Sequence, residues 1–358
     1  MKRSRTPTID DVATRLNLGV AHKMARQGKS FYHSVQKVDD DPDKYLNQLQ
    51  EILLSGEYRT SEYVHEIVND NGKTREISKL PYYPDRIVHW AIMLQMERNF
   101  LQKFTSDSHA AIAGRGTHTA LRQTRRYLIS DPEGTKYCLK LDVRKYFPHI
   151  RHEILRDMIS GMVRNKPLLD LFFEIIESVP PERGVPIGNY LSQFFANLYL
   201  SEFDHWIKEK MGVKYYIRYM DDIVVFGPDA EYLHRLFREI EWHLTSRLRL
   251  DIKPNWQVFK VESRGVDFVG YRMYHNRTLV RKKTFARMRK RCATIYYHAK
   301  IYGELTRSEL SSLMSYNGIV QHCTPKVRID LYRRYIEPTV LALGINITKT
   351  MRKAYYDE

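Results

Sequence analysis

The stretch "YIRYMDDIVVFG", residues 216–227, sets two adjacent aspartates, Asp221 and Asp222, between two apolar and aromatic runs. That pattern predicts strand–turn–strand, with Met220-Asp221-Asp222 at the bend. An ordinary solvated β-turn tolerates aspartate and is the plain alternative. The flanks are too apolar for a solvated tip, however. Half-buried carboxylates that crowd each other are costly unless a cation neutralises them. All-oxygen acidic sites are what Mg²⁺ prefers.

A further carboxylate stands in "KYCLKLDVRKYFPHI", residues 136–150. It reads as a strand from Tyr137 to Val143 that breaks into a turn at Pro148, with Asp142 between Leu141 and Val143. One acid at a strand end and two on a nearby hairpin tip form a layout for two metal ions about 3.5–4 Å apart. Such a pair stabilises the attacking and the leaving oxygen in phosphoryl transfer.

The 358-residue chain is 43% hydrophobic and 12% aromatic, enough for a large core and two or three subdomains. No apolar run approaches the ~18 residues of a membrane-spanning helix. The basic start "MKRSRTPTIDD" lacks a following apolar segment, which predicts no secretory signal. Cys138, Cys292 and Cys323 lie far apart, without CxxC or His pairing, and read as reduced structural thiols in a cytoplasmic protein. The 14 histidines show no ligand spacing.

Net charge is +16, an argument about polyanionic partners rather than fold. The excess is clustered: residues 279–300 hold eight Lys or Arg and no Asp or Glu. Tyrosine numbers 25, with "RRY" at 125–127 and at 333–335. Phosphate attraction beside stackable rings is what a nucleic-acid groove uses. A surface helix with snorkelling lysines is the local alternative.

Helical spacing of Val12, Leu16, Val20 and Met24 predicts one helix over 10–35, and a second follows over 42–54. "YVHEIVNDNGKTREISKLPYYPDR" reads as a hairpin turning at "NDNG". Helices are expected over "RIVHWAIMLQMERNFLQKF", "THTALRQTRRYLIS", 151–163, 166–177, from Leu191 onward, and over "DAEYLHRLFREIEWHLTSRL". Leu233, Leu236, Phe237, Ile240 and Leu244 share one face of the last. Short strands are expected at 258–261, 266–273 and 277–280, and mostly helix over 284–345. Strands separated by helices describe an α+β fold with helices against a sheet.

"YMDD" with "LDVRKYF" resembles the catalytic signature of reverse transcriptases. "GVPIGNYLSQFFANLYL", "GRGTHTAL", "WQVFKVESRGVDFVGYRMY" and "LVRKKTFARMRKR" resemble in particular those of diversity-generating retroelements and related stand-alone bacterial enzymes. The resemblance runs from about residue 12 to about 325. It implies a right-hand polymerase: an N-terminal helical extension at 1–40, fingers at 41–135, a palm of antiparallel sheet backed by helices at 136–280 with a finger insertion near 150–195, and a small helical thumb and tail at 281–358.

Carried over by residue, the resemblance implies that Asp142, Asp221 and Asp222, with the Val143 carbonyl, hold two Mg²⁺ ions, Mn²⁺ being able to substitute. Phe147 stands against the sugar's 2′ position and selects deoxynucleotides, or simply packs beside Tyr146. Arg75, Lys79 and Arg86 clasp the incoming triphosphate, and Ile187, Gly188, Ser192 and Gln193 lie under the nucleotide. Ile187 stands where relatives place glutamine. It cannot hydrogen-bond the sugar or template, which implies less stringent checking of the pair; loop packing is the alternative. Lys253 protonates departing pyrophosphate. Gly114, Arg115, Gly116 and Thr117 approach the template; Tyr219 and Met220, the Phe268–Gly270–Tyr271 hairpin, Arg281, Lys282, Lys283 and Arg287 meet template and primer.

The resulting expectation is RNA-templated DNA synthesis from dNTPs and a dedicated structured RNA, with low fidelity, in a diversity-generating retroelement. An anti-phage enzyme making cDNA or repetitive DNA is the first alternative. A catalytically inactive nucleic-acid-binding protein is the second, and an RNA-synthesising polymerase a third. An accessory protein or second subunit is expected in trans, with homo- or hetero-oligomers open and no membrane partner.

Overall fold

The computed structural model describes residues 6–70, 73–179 and 183–344; among these, the side chains of 70, 73 and 75 lie outside the description. Four helices come first: α1 (Ile9–Ala13), α2 (Arg15–Ala25), α3 (His33–Asp40) and α4 (Pro42–Ser55). Strands β1 (Val64–Asp70) and β2 (Lys73–Lys79) pair antiparallel, Val64 opposite Lys79. The expected "NDNG" turn falls partly outside the described residues. A wide turn at Tyr82–Arg86 feeds α5 (Ile87–Leu101), and α6 (Thr117–Ser130) follows.

β3 (Tyr137–Asp142) leads to α7 (Tyr146–His149), α8 (His152–Ser160), α9 (Lys166–Glu177), α10 (Tyr190–Tyr199) and α11 (Ser201–His205). Then come β4 (Tyr216–Tyr219), β5 (Asp222–Gly227), α12 (Ala230–Leu248), β6 (Gln257–Lys260) and α13 (Val261–Arg264). The antiparallel meander β7 (Val266–Phe268), β8 (Tyr271–Met273) and β9 (Thr278–Val280) precedes α14 (Lys282–Tyr302), α15 (Arg307–Gln321), α16 (Pro325–Tyr335) and α17 (Glu337–Leu343). The architecture is α+β.

The chain forms two compact units from interleaved stretches. One comprises Met1–Gly114, Lys140–Val224 and Arg235–Trp256; the other Arg115–Leu139, Val225–His234 and Gln257–Glu358. A four-stranded sheet has the order β4-β5-β3-β6. In the first unit, α5 buries Ile87, Val88, Ala91, Ile92, Met96 and Phe100. Phe100 meets Phe172 and Phe194 at ring separations of 6.3 and 5.7 Å. In the second unit, Met288, Cys292, Ile295, Leu313, Val320 and Ile336 form a core between the C-terminal helices. All three cysteines are free and buried, as their spacing predicted.

Four expectations change. The single helix over 10–35 is two helices and a further one, because Thr14 leaves helical geometry and its side chain accepts from Asn17 N–H to start α2. The buried face of α2 is Leu18, Ala21, His22 and Ala25, while Leu16 and Val20 are exposed. The long helix from Leu191 is interrupted near Leu200, giving α10, α11 and a wide turn at Trp206–Lys210. The strand over 266–273 folds back at Val269-Gly270, where both residues have positive φ of 43° and 93°. Two positive values in a two-residue loop match the twist of the flanking strands. Pro148 lies within the short helix α7 rather than in an open turn.

Candidate active site

Only Met220 and Asp221 separate β4 from β5. The bend requires Met220 at φ 56°, a left-handed conformation that side chains resist. Arg218 holds it: Nη1 donates to the Met220 carbonyl oxygen at 2.9 Å. The guanidinium is in turn locked by Asp204, with Nε to Oδ1 at 2.7 Å and Nη2 to Oδ2 at 2.5 Å, and both side chains are fully buried. Tyr216 Oη also donates to Asp204 Oδ1, and Arg218 Nη1 reaches Asn197 Oδ1 at 3.3 Å. Burial pulls the guanidinium pKa down, but Asp204 outweighs it and leaves Arg218 above its ordinary value. A two-pronged pair whose remaining protons are used is the form in which a buried charge is tolerated.

Asp142 ends β3 beside this turn. Val143 N–H donates to the Asp221 carbonyl at 3.3 Å, joining the two acid-bearing segments through backbone. On the other side, Lys253 N–H donates to the Asp142 carbonyl at 2.9 Å and Arg144 N–H to Asp251 at 2.7 Å. Lys253 Nζ thereby reaches Asp142 Oδ2 at 2.5 Å. Burial, then the charge of Asp142 and a side-chain contact with it, push the Asp221 carboxyl up to about 7. Asp222, the first residue of β5, meets Lys140 Nζ at 3.5 Å.

The structure therefore brings Asp142 and Asp221 together. Among the described residues, no three His, Cys, Asp or Glu side chains gather as a metal nest, and Asp222 is engaged with Lys140. The pair itself fits a hard divalent cation on three observations. Asp142 Oδ1 is buried without a hydrogen bond. The Asp221 charge is disfavoured for want of compensation. The Lys253 ammonium already stands as a cation on the other Asp142 oxygen.

The segment around Ile187 is tied to its neighbours by backbone. Val185 N–H donates to the Phe147 carbonyl at 3.0 Å, and Ser78 N–H to the Ile187 carbonyl at 2.9 Å. Gly188, at φ 127°, lies so close to β2 that a Cβ would sit 2.9 Å from both Ile77 Cγ2 and the Ser78 oxygen. Phe147 is half-buried, edge-on to Tyr146 at 5.7 Å. Ile187 is half-buried, Ser192 buried and Gln193 exposed. Lys79 is exposed and pairs with Glu66; Arg86 is half-buried and donates to the Ala25 carbonyl at 3.2 Å. Arg75 lies in β2, but its side chain is outside the described part.

Tyr219 and Met220 are half-exposed at the acid-bearing bend. Gly114 lies in the first unit; Arg115, Gly116 and Thr117 belong to the second, where Gly116 precedes α6 and its N–H donates to Thr119 Oγ1 at 2.8 Å. Phe268 is fully buried, so Gly270 and its neighbours present backbone rather than that ring. Arg281 donates to Asp267 at 2.5 Å and its N–H to the Gly270 carbonyl at 3.0 Å. Lys282, Lys283 and Arg287 project from α14 as exposed cations. The sequence reading missed the Arg218–Asp204 pair and Lys140. One signal was present for the first: an arginine inside an otherwise apolar strand needs a buried partner.

The sequence model of the family described as "Reverse transcriptase (RNA-dependent DNA polymerase)" matches residues 67–273, more than half of the chain. Protein YkfC of Escherichia coli strain K12 is 27% identical over 176 residues, 46% of this chain and 46% of that protein. The group II intron-encoded protein LtrA of Lactococcus lactis is 24% identical over 149 residues, 39% of this chain and 24% of LtrA. The chain thus spans less than half the length of these relatives. A solved telomerase from Candida albicans, in complex with a fragment of telomeric RNA, superposes with a TM-score of 0.48 at 9% identity, covering 87% of this chain and 60% of that one. By the extent of the family match, around a bend that sets Asp221 against Asp142, the chain belongs to the reverse transcriptase (RNA-dependent DNA polymerase) family.

Proposed function

We propose that this protein copies RNA into DNA, joining deoxynucleotides at Asp142 and Asp221 with divalent cations, Mg²⁺ foremost. The observation that carries the reading is the meeting of these two carboxylates, with Asp221 pushed up to about 7 by burial and by Asp142. Asp142, Asp221, Asp222 and the Val143 carbonyl would hold the ions. When bound, such ions stabilise the attacking 3′-oxygen and the departing pyrophosphate. The new P–O bond forms as the bond to pyrophosphate breaks, and Lys253, which contacts Asp142, would return a proton to the leaving group. In this reading Phe147, half-buried beside Tyr146, would exclude a ribose 2′-hydroxyl.

In the same proposal, the hairpin β1–β2 and α4–α6 serve as fingers, the sheet β4-β5-β3-β6 as palm and α14–α17 as thumb. Low-fidelity copying in a diversity-generating retroelement is supported by Ile187, an apolar side chain on a loop held to β2 through its own carbonyl. Primer extension on an RNA template, comparing dNTPs with NTPs and with chelator added, tests the activity. Divalent-dependent dNTP incorporation is expected; NTP preference, or none, contradicts it. Sequencing the co-purified cDNA then separates roles. Adenine-directed errors fit the retroelement, and homopolymeric or short-repeat DNA fits phage defence.

A further inference from the structure

In the second unit, the strands of the β7–β8–β9 meander are three residues each, and so small a sheet leans on support at its ends. At one end Arg281 N–H donates to the Gly270 carbonyl at 3.0 Å, and its Nε to Asp267 Oδ1 at 2.5 Å. At the other end Tyr274 N–H closes the β8–β9 turn on the Arg277 carbonyl at 2.8 Å, with Arg277 over the Tyr274 ring at 4.1 Å. From this turn His275 reaches outward. Its Nδ1 stands 2.6 Å from Glu262 Oε1 on α13. Its Nε2 stands 3.2 Å from Thr135 Oγ1 and 3.3 Å from the Thr135 carbonyl, just ahead of β3.

The ring is closely held. The His275 side chain is 13% exposed, and both of its nitrogens are engaged. A carboxylate on Nδ1 makes that nitrogen the donor and leaves the other to face Thr135. The hydrogen bond with His275 is the main influence that holds the Glu262 carboxyl below its ordinary value, so it stays an ionised acceptor. Thr135 is fully buried and itself fixed, its hydroxyl donating to the Asp131 carbonyl at 2.7 Å. Beside it Val261 N–H donates to the Lys136 carbonyl at 2.9 Å, so α13 and the segment before β3 form one support. A fully exposed ion pair would contribute little. A largely buried ring between a carboxylate and a buried hydroxyl is fixed in both position and orientation.

We propose that His275 is a positioning residue: bridging Glu262 and Thr135, it sets the meander so that the Val269–Gly270 bend meets the primer end. The cause runs along a short piece of backbone, since Tyr271–Tyr274 alone separate Gly270 from His275. A turn released from Glu262 and Thr135 frees β8 to shift, and the bend shifts with it. His275 thus acts through the hairpin and not on the reacting atoms. The proposal rests on the polymerase reading for what the bend touches, but not for whether His275 holds it.

The test uses the full chain in EDTA. Fluorescence anisotropy measures binding of a DNA primer annealed to an RNA template with a recessed 3′ end, against a blunt duplex of the same length. Amide exchange is read at Arg281, whose N–H donates to Gly270. His275→Phe and Glu262→Ala should each weaken the recessed-end complex about fivefold, the factor set by one lost hydrogen bond, and leave the blunt duplex within about twofold. Exchange at Arg281 should quicken in both. Glu262→Gln keeps an acceptor for Nδ1 and should recover most of the loss. The double variant should be no worse than either single one, because the two side chains act as one support. Glu262 is exposed, so its variants report even where His275→Phe does not fold. Equal losses on both duplexes would assign His275 to the fold alone and overturn the proposal. So would unchanged binding and exchange in Glu262→Ala, or losses that add in the double variant. A wild type that binds neither duplex would refute the polymerase reading, while exchange at Arg281 would still decide whether His275 holds the bend.

Discussion

Arg218 Nη1 lies 2.9 Å from the carbonyl oxygen of Met220, so a fully buried guanidinium holds the backbone of the bend that presents Asp221. The contact joins stability to chemistry. The same arginine closes a buried pair with Asp204 and supports a left-handed residue immediately before the acid.

Replacing one partner of that pair should be severe. Asp204→Asn leaves a buried guanidinium without its counter-charge, and breaking such a pair costs about 3–5 kcal/mol. Arg218→Lys keeps a charge but loses the fork and the reach to Met220. It should therefore lower the melting temperature less than Asp204→Asn, yet cut dNTP incorporation at least tenfold with little change in KM. A lysine variant that melts lower but turns over normally would show that Arg218 serves the fold alone.

Asp221→Asn separates activity from stability. The charged carboxylate is disfavoured beside Asp142, so a neutral amide should stabilise the metal-free protein by about 1–2 kcal/mol, discounted for partial solvation. Incorporation should be abolished. Denaturant melts in EDTA check the sign; an asparagine variant less stable than wild type would contradict the crowding of the two acids.

Gly188→Ala places a methyl group 2.9 Å from Ile77 Cγ2 and from the Ser78 carbonyl, at a φ of 127° that alanine resists. The loop and hairpin cannot both keep their positions. A loss of about 1–3 kcal/mol, with accelerated amide exchange at Ser78, whose N–H donates to Ile187, is the expected outcome.

Val269 turns the β7–β8 hairpin at φ 43°, where a β-branched side chain is strained. Val269→Asn should stabilise the protein by about 1 kcal/mol, since asparagine enters this region readily. An unchanged or lowered melting temperature would show that the valine side chain compensates by packing.

Some of this was legible in the sequence because the causes are local. α9 begins where Asn165 accepts from Leu168 N–H and proline stands in the first turn; α12 buries the Leu233–Leu244 face its spacing marks. The two acid-bearing segments were legible for the same reason: a carboxylate flanked by buried strand residues stands out. What escaped depends on partners distant in the chain. Arg218 and Asp204 are 14 residues apart, and Lys140 meets Asp222 only because β3 and β5 are neighbours in the sheet. The break at Thr14 was missed because a threonine caps a helix as readily as it sits within one, and apolar spacing alone does not separate the cases.

The most direct measurement is Mg²⁺-dependent extension of a primer on an RNA template by wild type and by Asp142→Asn, with matched melting curves. The account predicts deoxynucleotide addition by the wild type and a loss of at least a thousandfold in the variant, on the order of 4 kcal/mol of transition-state stabilisation. Equal extension by the two proteins would contradict it.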